Sequence, residues 1–328
     1  MSPPGPASPV SLPPALEAVR DDLARLEEAL RDDAGVEFLV LRQLLDWVFS
    51  IGGKRMRPAL VFAAARAGEA DPRAVLSLAA AVETLHAATL VHDDLVDHSL
   101  VRRGMPTLNT RWSGSATVLA GDWLFSRAAA FAAGTGDVRV MEIFARGLGI
   151  LTDGELRQLF GREGIPTLAE YEHRIYAKTA SLFEASTEAA GILALTDPDQ
   201  VQALATYGRE LGLAFQIVDD ILDFTGDAAR LGKPVGSDLR TGTVTLPALL
   251  HLEAYPEAAA WLGPEADGHR QVDRLVAAVQ ADAAALEGSW QAARQRLERA
   301  VAALEGLPAG EARDDLDRLA RYAVERDH

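Results

Sequence analysis

Two short acidic clusters, each closing an apolar run, constrain this chain more than any other feature. Residues 91–97 read VHDDLVD, and residues 218–223 read VDDILD followed by Phe224 and Asp227. At helical spacing Asp93 and Asp97 share one face, as do Asp219 and Asp223, while Asp94 and Asp220 are turned away by about 100°. Carboxylates so close repel one another. A solvated helix face tolerates one such cluster; two copies, each on an apolar helix, call for a cation between them. The chain has 328 residues and no cysteine, so disulfides and thiolate metal sites are excluded and any metal is held by oxygen or imidazole. Hard oxygen donors without clustered imidazole indicate Mg2+, which keeps several waters and shares its sphere with substrate phosphates.

Around the clusters the sequence reads as helix almost throughout. Apolar residues three and four apart begin near residue 15, break at Gly52-Gly53, and resume in segments nearly to the C-terminus, with no convincing strand. Breaks at 68–72, 104–106, 134–136, 161–166, 197–198, 226–242 and 263–268 predict about ten or more helices. Alanine-rich stretches at 59–67 and 74–90 carry few charges and suit central helices. Residues 270–328 are more charged, and Leu297 among the arginines of 291–299 marks an amphipathic helix. No linker interrupts the pattern, so residues 15–328 are expected to form one all-α domain behind a disordered, proline-rich arm at 1–14. Apolar residues make up 48% of the chain, enough for a sizeable core. The arm lacks the basic and apolar regions of a signal peptide, and no unbroken apolar run of transmembrane length follows. A soluble, cytoplasmic protein is expected. A formal net charge of -16 argues against nucleic acid as a partner.

Polyanions must therefore be met locally, and basic groups stand where that is possible. Residues 52–58 read GGKRMRP, placing Lys54, Arg55 and Arg57 beside glycines, and Arg102-Arg103-Gly104 follows the first cluster by five residues. Such groups near metal-binding carboxylates can clamp a diphosphate; alone, either would read as a surface ion pair. Of 32 basic residues only Lys54, Lys178 and Lys233 are lysines, which singles them out as positions needing a compact ammonium.

Taken in order, GGKRMRP, LHAATLVHDDLVD, RRG, Lys178-Thr179, FQIVDDILDFTGD and GKPVGSDL closely resemble the trans-isoprenyl diphosphate synthases, or polyprenyl synthetases, over about residues 40–250. The resemblance implies an orthogonal helical bundle of the isoprenoid synthase type around a deep central cavity, a homodimer, and three Mg2+ ions. It implies that isopentenyl diphosphate is joined head to tail to an allylic diphosphate with release of diphosphate. Lys54, Arg57, His86 and Arg103 would hold the isopentenyl diphosphate. Arg102, Lys178, Thr179 and Gln216 would hold the allylic diphosphate, with Lys233 close to its leaving group; Lys178, Lys233 and Gln216 are thus the groups expected nearest the chemistry. Asp93 and Asp97 would bind two ions with Asp94 behind them, and Asp219 the third with help from Asp220 and Asp223. His86 lies seven residues, two turns, before Asp93 and so on its face; His92 and His98 do not share that face and receive no role. Once the leaving group is neutralised, the allylic bond ionises, the isopentenyl double bond attacks, and the proton is lost to the released diphosphate. Water must be excluded from the cation. One departure is Thr243 in RTGTVTLP, where many relatives carry lysine; Lys233 and Arg240 would share the work of that missing cation.

Product length should depend on the residues below the first cluster. Thr89 and Ala88 lie four and five residues before Asp93, with Leu85 and Val82 deeper. Each helical turn advances about 5.4 Å, comparable to one isoprene unit. The resemblance adds that enzymes stopping early place an aromatic residue four or five positions before the cluster. Small residues there predict products of about six to ten isoprene units, octaprenyl being favoured, over a farnesyl- or geranylgeranyl-length product. A terpene cyclase would lack GGKRMRP and the second full cluster. A P-loop is excluded because five residues separate Gly226 from Gly232 and Pro234 stands where Ser or Thr is needed. A non-catalytic partner subunit of a heteromeric synthase is disfavoured by two intact clusters.

Overall fold

The computed structural model of the chain describes residues 13–31, 36–102, 104–161, 164–226, 234–262 and 269–324. A 3₁₀ turn, Pro14–Val19, leads into α1 (Arg20–Arg31), α2 (Leu39–Ser50), α3 (Met56–Ala65) and α4 (Pro72–Val96). Strands β1 (Val101–Arg102) and β2 (Met105–Pro106) pair antiparallel, with Arg102 opposite Met105. Then come α5 (Leu108–Arg111), α6 (Gly114–Gly134), α7 (Val138–Phe160) and α8 (Leu168–Ile175), the last continuing through a π-helical turn, Tyr176–Ala180, into α9 (Ser181–Ala194). The remaining helices are α10 (Pro198–Thr225), α11 (Ser237–Arg240), α12 (Leu246–Ala254), α13 (His269–Ala281), α14 (Ala283–Ala303) and α15 (Glu311–Val324).

The all-α expectation holds, with one departure: RRG, read as a binding motif, is also the bend of a two-residue ladder, where Gly104 takes φ +76°. The 3₁₀ turn opens at Pro14, one residue inside the proposed arm; residues 1–12 of that arm lie outside the described residues.

The described residues group into two compact units, each drawn from separated stretches of sequence. The first comprises residues of 1–145, 185–204 and 306–319. Its centre is the alanine-rich pair anticipated from composition: α3 is buried from Pro58 to Ala65, and α4 buries Ala74 through Leu85 with few interruptions. Asp71 caps α4 by accepting from the backbone N–H of Arg73, and Pro72 occupies the first helical position. Only α4 among the described helices is long and apolar enough to cross a membrane, yet 72% of its apolar window is buried in this fold, as in the core helix of a folded domain. Small residues let α6 lie close along it: a Cβ on Gly121 would stand 2.1 Å from His92 Nε2. His92, given no role above, packs its ring 5.3 Å from Phe125. A part-buried ion cluster ties three segments together, Arg55 donating to Glu27 at 2.6 Å and to buried Glu83 on α4.

The second unit comprises residues of 146–184, 205–305 and 320–328. Its core joins Phe224 at the end of α10 to Leu239, Val244, Ala248, Leu252, Leu275, Val276 and Val279. The π turn is wedged between two glycines: Cβ atoms on Gly212 and Gly154 would meet Ala180 Cα and Ala177 Cβ, each at 2.5 Å. Such turns inside helices recur at functional sites; this one carries Lys178 and Thr179.

Two predictions follow from this packing. Gly212→Ala pushes a methyl into backbone that has no room to yield, and should lower unfolding stability by about 1–3 kcal/mol in chemical denaturation. Glu83→Ala leaves Arg55 buried with Glu27 alone, and should cost roughly 3 kcal/mol by the same measurement.

Candidate metal and diphosphate site

The first acidic cluster sits where α4 stops. Val96 ends the helix, and Asp97 is its cap rather than its next residue, with its N–H donating to Asp93 O at 2.8 Å. His98 takes φ +50°, a position usually filled by glycine, and Ser99 N donates back to Asp94 O at 2.9 Å. His98 thus has a backbone role. Asp93 is half-buried and Asp97 exposed, while Asp94 is buried at 5% exposure. Arg102 reaches Asp94 Oδ1 through both Nε and Nη2 at 2.8 Å. Burial raises the Asp94 carboxyl above its usual range, and the Arg102 contacts pull it back. The stop is braced from downstream: Asn109 Nδ2 donates to Asp94 O and Ser99 O at 3.2 Å, and Thr107 Oγ1 donates to Ser99 O at 2.7 Å. Trp47 Nε1 donates to Pro106 O at 3.0 Å, steadying β2, and Arg111 stacks 4.1 Å from the Trp47 ring.

The second cluster repeats the arrangement inside the other unit. Asp219 is half-buried, whereas Asp220 and Asp223 are buried at 3% and 1% exposure. Asp220 Oδ1 accepts from Gln216 Nε2 at 2.9 Å and Oδ2 from the Tyr171 hydroxyl at 2.8 Å. Gln216 Oε1 accepts in turn from Thr179 Oγ1 at 2.6 Å. Burial drives the Asp220 carboxyl up to about 7 against the opposing hydrogen bonds from Gln216 and Tyr171. Asp223 Oδ1 accepts from Ser237 Oγ at 2.9 Å and Oδ2 from Asp238 N at 3.1 Å. In both clusters, then, the second aspartate of the pair is turned inward and held by protein donors.

Among the described residues no three His, Asp or Glu side chains converge into a cage able to hold a metal alone. The donor set instead leaves one or two less buried carboxylates per cluster, Asp93 and Asp97 in the first and Asp219 in the second. That fits Mg2+, which takes one or two carboxylates and completes its sphere with water and substrate phosphates.

The basic residues divide between the units. Lys54 is exposed and Arg57 half-buried at the start of α3, and His86 is half-buried on α4. Arg55 is turned inward to its two glutamates, consistent with its omission from the diphosphate set. Lys178 Nζ lies 3.1 Å from Glu155 Oε1. Arg240 is paired with Asp273, so its guanidinium is already engaged. Arg103, Lys233 and Asp227 lie outside the described residues. Below the first cluster, Ala88 is fully buried in an apolar cluster with Leu44, Leu45, Val91 and Leu124, while Thr89 Oγ1 donates to His86 O at 2.8 Å and Leu85 is buried. Sequence reasoning missed Tyr171, Asn109, Thr107 and Ser237, because their roles depend on partners 8 to 49 residues away.

A profile of the polyprenyl synthetase family matches residues 39–280. The chain is 37% identical over 318 residues to octaprenyl diphosphate synthase of Escherichia coli (strain K12), covering 95% of this chain and 98% of that protein. It is 38% identical over 311 residues to heptaprenyl diphosphate synthase component 2 of Geobacillus stearothermophilus, covering 94% and 97%. The crystal structure of a polyprenyl synthase from Caulobacter crescentus CB15, complexed with calcium and isoprenyl diphosphate, superposes with a TM-score of 0.88 at 36% identity over 95% of this chain and 97% of that one. With six motifs in order, an all-helical fold and relatives matched nearly end to end, this chain belongs to the polyprenyl synthetase family.

Proposed function

We propose that this chain is a long-chain all-trans-polyprenyl diphosphate synthase, a prenyltransferase that extends an allylic diphosphate with isopentenyl diphosphate to about six to ten isoprene units, octaprenyl being favoured. The observation that carries this is the near-complete match to the octaprenyl synthase. Small residues at Ala88 and Thr89, where an aromatic would block a growing chain, point the same way. We infer that residues 15–328 act as one catalytic domain in the cytoplasm, as a homodimer; exposed apolar side chains such as Leu119 and Val138 support association.

Lys54, Arg57 and His86, with Arg103, receive the isopentenyl diphosphate. Lys178, Thr179 and Gln216, with Arg102 and Lys233, receive the allylic diphosphate. Asp93 and Asp97 take two Mg2+ ions and Asp219 a third, while Asp94, Asp220 and Asp223 hold the carboxylate frame from behind. Bound magnesium supplies positive charge against the departing diphosphate. The calcium and isoprenyl diphosphate of the Caulobacter relative support a divalent cation and a diphosphate at this kind of site. Lys178 and Arg102 start from ion pairs with Glu155 and Asp94, so each is held in place before substrate arrives.

The Geobacillus relative is named as one component of a synthase, which keeps a second reading open: a subunit that works only with a partner. Incubating the purified chain alone with Mg2+, labelled isopentenyl diphosphate and farnesyl diphosphate should yield products of about six or more units; absence of product would favour the two-component reading. Thr89→Phe should shorten the product to about four units or fewer while condensation continues, read by chromatography of the same mixture. Asp93→Asn and Asp219→Asn should each lower kcat by about 100-fold or more, with the far-UV circular dichroism unchanged.

A further inference from the structure

We propose that Tyr171 is a positioning residue for the second acidic cluster, setting through one buried hydrogen bond the orientation of Asp220 and of the two diphosphate-facing side chains linked to it. The inference rests on the reading of that cluster given above. Tyr171 projects from α8 and is 1% exposed, and its hydroxyl donates to Asp220 Oδ2 at 2.8 Å. The other Asp220 oxygen accepts from Gln216, whose carbonyl accepts from Thr179. All donors run one way along this network: Thr179 to Gln216 to Asp220, with Tyr171 closing the far side. The direction of the Gln216 amide is therefore dictated by its neighbours, since Thr179 donates to its oxygen and only its NH2 can serve Asp220.

Tyr171 supplies one of the two donors that pin this carboxylate. Without its hydroxyl, Asp220 keeps a single donor from protein and can swivel about its own side-chain bond. Gln216 then loses a fixed acceptor, and Thr179 a fixed partner in turn. The neighbouring Asp219, one residue along α10, would keep its place on the helix but lose the rigid frame beside it. Removing supporting hydrogen bonds of this kind costs about 10- to 100-fold in metal affinity or activity. The phenol ring packs in the interior of the second unit, so Tyr171→Phe removes the donor and keeps the shape.

The test uses full-length protein and inorganic diphosphate, without turnover. For Tyr171→Phe, Mg2+-dependent binding of inorganic diphosphate, measured by calorimetry, should weaken about 10- to 100-fold. The Mg2+ concentration needed for half-maximal activity should rise, and KM for farnesyl diphosphate with it, while KM for isopentenyl diphosphate stays within about twofold of wild type. A variant that melts earlier yet binds magnesium diphosphate like wild type would overturn the proposal, leaving Tyr171 a packing residue. If the Phe variant does not fold, Tyr171→His and Tyr171→Leu compare a buried ring that can still donate with an apolar side chain that cannot; weaker magnesium diphosphate binding by the Leu variant than by the His variant supports the proposal, and equal binding overturns it. Wild-type protein that binds no magnesium diphosphate at all would instead sink the reading of the site on which the proposal stands.

Discussion

Keeping like charges together at the ends of buried helices is the constraint around which this structure is arranged. Each acidic cluster would repel itself if all its carboxylates faced the same way. The fold resolves this by dividing the labour. Asp94 turns inward to Arg102, and Asp220 turns inward to Tyr171 and Gln216, while Asp93 and Asp219 remain half-buried at the surface of their helices. The inward carboxylates are expensive to bury, as the raised ionisation of Asp94 and Asp220 indicates, and only specific donors make their burial tolerable.

Those donors impose demands further out. Arg102 lies on a two-residue strand whose partner strand is held by Trp47, so the end of α4 depends on α2. Tyr171 needs α8 at a set distance from α10, and Gly212 allows it by letting Ala180 approach where a methyl would collide. The π turn that follows carries Lys178 and Thr179 in a stretch of helix whose register differs from that of its flanks. A chain of ordinary packing decisions thus ends at the side chains proposed to meet diphosphate.

Much of this was legible from residue order. The alanine-rich stretches became the buried α3 and α4, and Leu297 faces inward from α14 as its spacing required. Asp93 and Asp97 are expected one turn apart on one helix; the structure closes that turn with Asp97 N donating to Asp93 O and then ends the helix, because His98 adopts the left-handed conformation and the carbonyls of Asp94 and Leu95 are satisfied by the following turn. Arg102 and Arg103 were read as a motif, and only folding shows that Arg102 already has a carboxylate partner. Arg240, suggested to share the work of a cation missing at Thr243, is engaged by Asp273.

By itself the sequence determined the secondary structure class, the family and the identity of the acidic, basic and small residues in the site, because helical periodicity and motif spacing are local properties carried within a few turns of chain. Only the tertiary structure decided which carboxylate of each pair turns inward, which cation is already paired, and that Tyr171 touches Asp220 across 49 residues of sequence. Those outcomes depend on which surfaces meet and which polar groups lose water when they do. A linear pattern does not encode that, since hydrogen-bond partners and burial are set by packing between distant segments.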